Sequence, residues 1–357
     1  MPTRRRVKVV FRRALIVSAA ATVFATVSPL HAGEVVITKL VSGLGSPRSI
    51  AFRPESGAKP EVFIADSSGG RVLRVALNRP EVAEEAITGF PQQKAANGKP
   101  ETWGLRSLFF LDHNRLVVSG GDEKQPFVRL YELPESSNAL QFDDKKESID
   151  VATESRSEVE SSGINAFHSI VRPRANDHVS DMLLLAPSST KPVTGLWKIA
   201  LRANTLEDAV PLPFTKPGDE VKSVEAATIV KTGYVVLAVA VVRDSVSNTA
   251  LKFIDPSDGR SRLEVPTDLE TIVGLACNPS TGDLYAAGVE SGGQSGGVYR
   301  LDDVGEAGKP RCRAKRLVAL PNASALAFFN EGALYVTTTD VKSDRESGGT
   351  LYQLRDF

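Results

Sequence analysis

Cysteine, methionine and tryptophan are scarce, with two of each in 357 residues. Two thiols, Cys277 and Cys312, cannot form a disulfide scaffold, so a folded chain of this length must rest on a packed core. Of four histidines, only His113, His168 and His178 lie beyond the N-terminal leader. They are too scattered for the close ligand spacing of a zinc site. Charge of one sign is missing too: 43 Lys and Arg balance 43 Asp and Glu. No apolar run after the leader approaches the roughly 20 residues of a membrane span.

The leader itself is distinctive. Arg4, Arg5, Arg6, Lys8, Arg12 and Arg13 precede a small, apolar run from Ala14 to Val27, and Ala32 offers a cleavage point. This is the pattern of a signal peptide over residues 1–32, and it predicts a secreted or periplasmic protein. The run is short for a retained anchor, so no transmembrane domain is expected after cleavage. Losing the leader's six basic residues leaves 37 against 43 acidic ones, a net charge of −6. A mildly acidic chain lacks the clustered basic charge of a nucleic-acid binder.

What is abundant is internal repetition. Gly43 to Phe52, Glu61 to Asp66 and Arg71 to Val75 read as three short strands separated by turns. The order recurs five times, giving blades over approximately 43–88, 103–153, 165–212, 223–265, 271–320 and 324–356. The turn before the third strand repeats as Ser68-Gly-Gly, Ser295-Gly-Gly and Ser347-Gly-Gly, where glycines suit the positive φ of tight hairpins. More polar fourth strands fit between the copies. The pattern predicts an all-β, six-bladed β-propeller spanning residues 33–357. The sixth copy ends with its third strand, and residues 35–41 have no other partner, so the ring is expected to close by pairing this N-terminal segment with the C-terminal blade. Residues 134–162, rich in Asp, Glu, Lys and Ser, read as a charged, solvated insertion between blades two and three, with an outer strand near Ser148 to Thr153.

Leu44 to Phe52 with Val62 to Asp66 and Arg71 to Val75 resembles an NHL repeat and the blades of gluconolactonase- and strictosidine-synthase-type propellers of the TolB-like class. The resemblance implies a divalent cation such as calcium at the mouth of the channel, held by carboxylates and an asparagine from different blades. Arg48 occupies the blade-one position where gluconolactonase-like members carry a metal-binding glutamate, so no metal ligand is assigned here.

Projecting the repeat onto a propeller brings Arg48, Arg106, His168, Glu225 and Ser324 to the channel at the start of the inner strands. Turns after the second strands add Asp66, Asp122, Asp244 and Asp340. Mixed charges converging on one site suit a small polar or anionic ligand, and Arg48 with Arg106 could clamp one carboxylate or phosphate. The recurrent aspartates are equally what turn capping produces. His168 is the candidate for proton transfer, with a structural hydrogen-bonded role as the alternative. Cys277, in the slot filled by Phe52, Phe110 and Phe328, is expected to be a buried thiol, unbridged to Cys312. Two functions stay open: a binding propeller presenting its loops to a small ligand, glycan or protein, or a metal-assisted hydrolase or lactonase with His168 as base.

Overall fold

The computed structural model describes residues 35–357 except 55–59, 93–103, 123–124, 135–137, 151–163, 176–177, 180–181, 190–194, 203–204, 214–222, 244–245, 291–295, 307–308, 331 and 340–347. The described residues contain strands and no helix, hence no helix long and apolar enough to cross a membrane. Six sheets of at least four strands form the blades of a β-propeller, and a two-stranded hairpin, Arg174–Ala175 with His178–Val179, branches from the third. Their innermost strands are Pro47–Phe52, Gly104–Phe110, Ile164–Val171, Ser223–Ile229, Leu269–Cys277 and Ala323–Asn330. Each touches the inner strand of the blade before and after it, and blade six returns to blade one.

The core is correspondingly a ring of interfaces. The buried apolar residues fall into six clusters, one between each pair of neighbouring blades. Strand side chains alternate in direction, so both faces of every blade must be apolar. The second strands show this plainly: Val62, Phe63, Ile64 and Ala65 are all buried, and so are Val235 to Val239. Outer strands carry the polar residues, as in Ala83–Thr88 and Cys312–Ala319.

The ring closes through Val36–Leu44, which lies antiparallel to Gly349–Arg355 with Ile37 opposite Leu354 and Val41 opposite Leu351. Blade six thus takes its outermost strand from the other end of the chain. Val41 and Leu44 reach into the cluster between blades six and one.

Two readings of the sequence need correction. Gly70 has the expected positive φ of 58°, but Gly297 and Gly349 do not. They are required by close approach instead: a Cβ on Gly297 would lie 2.6 Å from the Val318 carbonyl oxygen, and one on Gly349 2.3 Å from that of Thr338. The insertion 134–162 is also less solvated than its composition suggests. Leu140–Gln141 adds a parallel fifth strand to blade one, and Glu147–Asp150 forms the outer strand of blade two. Between them Phe142 packs against Phe90 and Phe127, with the Arg129 guanidinium 3.2 Å above its ring. Tyr131 and Arg129 donate to the Phe142 carbonyl. A few apolar residues anchor this charge-rich segment, and Glu147 Oε2 accepts from the Leu206 amide at 2.8 Å.

The closing strand supplies a test of what holds the ring. Leu44 is 1% exposed and Ile37 43% exposed. Leu44→Ala is expected to lower the unfolding free energy by about 2–5 kcal/mol. Ile37→Ala, on the same strand, should cost under about 1 kcal/mol. Equilibrium denaturation of both variants reads the difference, and equal effects would contradict closure by burial.

Candidate functional site

The channel is lined from the inner strands, and a recurrent irregularity decides which side chains enter it. Each inner strand pairs with its second strand through a β-bulge at an equivalent place. The residues skipped by the pairing are Arg48, Arg106, His168, Glu225, Val273 and Ser324. In a regular strand, residues two apart share a face. Across each bulge they do not. Leu105 packs toward blade one, whereas Ser107 bonds into blade three. Val224 packs toward blade three and Ala226 toward blade five. Ala323 joins the interface with blade five and Ala325 that with blade one. The bulge residue between them is turned toward the channel, the re-aiming for which bulges are suited, although Val273 also packs against the cluster between blades five and six.

The residue after each bulge is small: Ser49, Ser107, Ser169, Ala226, Gly274 and Ala325. It faces the next blade where the backbones come close. A Cβ on Gly274 would lie 3.3 Å from the Ala325 Cα. The serines also bridge blades, Ser49 Oγ accepting from the Leu108 amide at 3.2 Å and Ser107 Oγ from the Ile170 amide at 3.1 Å.

The resulting ring reads Arg48, Arg106, His168, Glu225, Val273, Ser324 through blades one to six. Arg106 and Ser324 are buried, and Arg48, His168 and Glu225 are half-buried. The His168 Nδ1 lies 3.3 Å from the Glu225 carbonyl oxygen. A carbonyl can only accept, so Nδ1 carries the hydrogen and a neutral ring holds its lone pair on Nε2. Burial, with the positive charges of Arg106 and Arg48, holds the imidazole down to about 3. It is neutral near pH 7 and a weak base there. Glu225 Oε1 accepts from Ser223 Oγ, and Ser324 Oγ donates to the Thr337 carbonyl at 3.2 Å.

The turn aspartates behave differently. Asp66 is fully buried, with Oδ1 accepting from the Ser46 amide at 2.9 Å and Oδ2 from Arg71 Nε at 3.1 Å. Its carboxylate serves the turn and the Arg71 ion pair. Asp122 Oδ1 accepts from the Gln125 amide at 2.9 Å, a turn cap. Asp244 and Asp340 lie outside the described residues. Cys277, expected to be buried, is half-buried because it ends its strand, whereas Cys312 is buried at the start of the outer strand; both are free. Burial pushes the Cys312 thiol up to about 12.

A calcium ion takes six to eight oxygen ligands, several of them carboxylates. The ring offers one carboxylate, Glu225, facing two guanidinium groups, and this donor set does not fit a divalent cation. Among the described residues no three His, Cys, Asp or Glu side chains converge elsewhere. A surface cleft of about 430 Å³, lined by Asp112, His113, Asn114, Arg115, Glu132 and Lys146, lies at the far end of the inner strands. Its charges are satisfied within it by the Asp112–Arg115 and Glu132–Lys146 pairs. Arg53, reaching the His113 carbonyl and the Asn114 side chain, gives that face a structural role.

With six radial sheets around this ring, the chain shares its fold with solved six-bladed propellers. A luciferin-regenerating enzyme superposes at a TM-score of 0.54 with 11% identity over 90% of this chain and 95% of that one. A structural-genomics target classed with the gluconolactonases gives 0.52 and 12% over 90% and 92%. The calcium-binding protein regucalcin from Agrobacterium tumefaciens gives 0.50 and 14% over 89% and 92%. No protein-family model and no curated protein matches the sequence. At these identities the fold is what is shared.

The depressed basicity of His168 predicts an acid response. A histidine protonating near 6.5 when unfolded and near 3 when folded makes the unfolded chain bind more protons between those values. Stability should therefore fall as pH drops through that window. His168→Gln is expected to flatten this part of the melting-temperature profile. Arg106→Gln should raise the His168 pKa by about one unit or more, read by NMR titration.

Proposed function

We propose that the mature chain is an exported binding propeller that captures a small anion, a carboxylate or phosphate, at the mouth of its channel. The observation that carries this reading is the pair Arg48 and Arg106, set by equivalent bulges on adjacent blades beside an imidazole held neutral. Two guanidinium groups confined at one position present planar donor arrays matched to carboxylate or phosphate oxygens.

The metal-assisted hydrolase reading is less well supported. Arg48 stands where the resembling enzymes carry a carboxylate, and His168 is a weak base near neutrality. The fold names of the similar structures do not bear on this, because propellers host unrelated chemistries. The leader supports export and cleavage after Ala32, and mass spectrometry of the secreted chain should find Gly33 at its N-terminus.

Isothermal titration with butanoate and with inorganic phosphate tests the binding reading. The mature protein should bind one equivalent of one of them, and Arg106→Gln should weaken that binding by about tenfold or more, equivalent to about 1.4 kcal/mol. Added calcium should not restore it. Undiminished binding by Arg106→Gln, with an unchanged melting temperature, would reject the site.

A further inference from the structure

Blade six is assembled from both ends of the chain. The other five blades each draw their four inner strands from one continuous stretch, whereas Gly349–Arg355 receives its outer partner from Val36–Leu44. We propose that this joint is an exchange site for a second copy of this chain. Val36–Ser42 leaves its own blade six and completes that of the other copy, which returns its own strand, so that both rings are closed in a dimer. The proposal is independent of the channel and its ligand.

The movable segment is lightly held. From Val36 to Ser42 only Val41 is buried, whereas Val36 and Ile37 are 48% and 43% exposed. The ladder to Gly349–Arg355 is interrupted at Leu40 and again at Gly43. Release therefore uncovers little apolar surface, the property of the least stable units of a fold. The residues that follow are fixed. Leu44 is fully buried in the cluster between blades six and one. The Ser46 amide donates to Asp66 Oδ1 at 2.9 Å, and the Ser46 carbonyl accepts from the Ser67 amide at 3.0 Å. A Cβ on Gly45 would lie 2.7 Å from Asp66 Oδ1. Leu44 to Ser46 are thus seated against blade one, and the chain turns just before them. That turn is Gly43, with a φ of 78° and no heavy atom within 4 Å of where a Cβ would stand. Positive φ is cheap for glycine. The closed joint uses it, and a chain running straight on to a neighbour does not. The acceptor edge is matched to this strand residue by residue, with Ile37 opposite Leu354 and Val41 opposite Leu351. An exchanged strand makes the same contacts, so no new interface has to be built. Closure within one chain competes as a local concentration in roughly the millimolar range, so exchange grows as the protein is concentrated.

The first readout is the mass, by light scattering, of mature protein refolded at about 1 µM and at about 1 mM. Monomer is expected when dilute and a share of dimer when concentrated. Gly43→Ala strains the joint of each closed monomer, and both joints are relieved in the dimer. The dimer dissociation constant should therefore fall by about tenfold or more. The connection itself is read in a Cys277→Ala background by refolding Thr38→Cys chains together with Gln353→Cys chains and oxidising them. Thr38 lies opposite Gln353, at the spacing of about 4.5–5.5 Å between opposed strand residues, which a disulfide spans. Links from position 38 of one chain to 353 of the other should exceed links between like positions. Monomer at every concentration, for wild type and Gly43→Ala alike, would overturn the proposal. So would a dimer linked 38 to 38 but not 38 to 353, the product of closed rings pairing edge to edge. The wild-type measurement needs no variant to fold.

Discussion

Six innermost strands converge on one axis, and at the mouth of the channel they approach so closely that only serine, alanine or glycine fits between neighbours. Gly274 illustrates the limit, since an added Cβ would already press on Ala325. A small residue facing the next blade, and an apolar residue two positions earlier facing the previous one, cannot coexist in a regular strand. The bulge reconciles them by inserting one extra residue, and that residue is turned toward the channel. The packing of the ring and the composition of the site therefore have a single origin. Interface demands fix most positions of each inner strand, and the equivalent bulge re-aims one per blade.

What the freed positions hold distinguishes this chain from what its fold implies. A carboxylate-lined mouth would suit a divalent cation. Here blades one and two contribute arginines, and their field, together with burial, keeps His168 neutral.

Much of this was legible in the sequence. The period, the strand patterns and the missing fourth strand of the last copy led to six blades and to closure by the N-terminal segment. Five of the six ring residues followed from aligning the copies. Val273 was missed because an apolar residue draws no attention among candidates for ligand contact. The signal that would have found it is the small residue after each ring position, Gly274 in blade five, which requires knowing that neighbouring backbones meet there. The turn aspartates show the opposite failure. Recurrence at one structural position is produced equally by turn capping and by ligand contact, and only the bonds of Asp66 to the Ser46 amide and Arg71 separate the two. Within residues 138–150 the outer strand was expected near Ser148 and lies at Glu147–Asp150, whereas the docking of Leu140 and Phe142 was illegible because they are few among many charges.

The central claim is that the bulge residue, and not its neighbours, faces the channel. Thiol accessibility tests it most directly. In a Cys277→Ala background, Val273→Cys should react readily with a small water-soluble methanethiosulfonate, whereas Leu275→Cys, two positions along the same strand and buried between blades four and five, should be protected together with native Cys312. Protection at 273 equal to that at 275, in folded protein, would contradict the account.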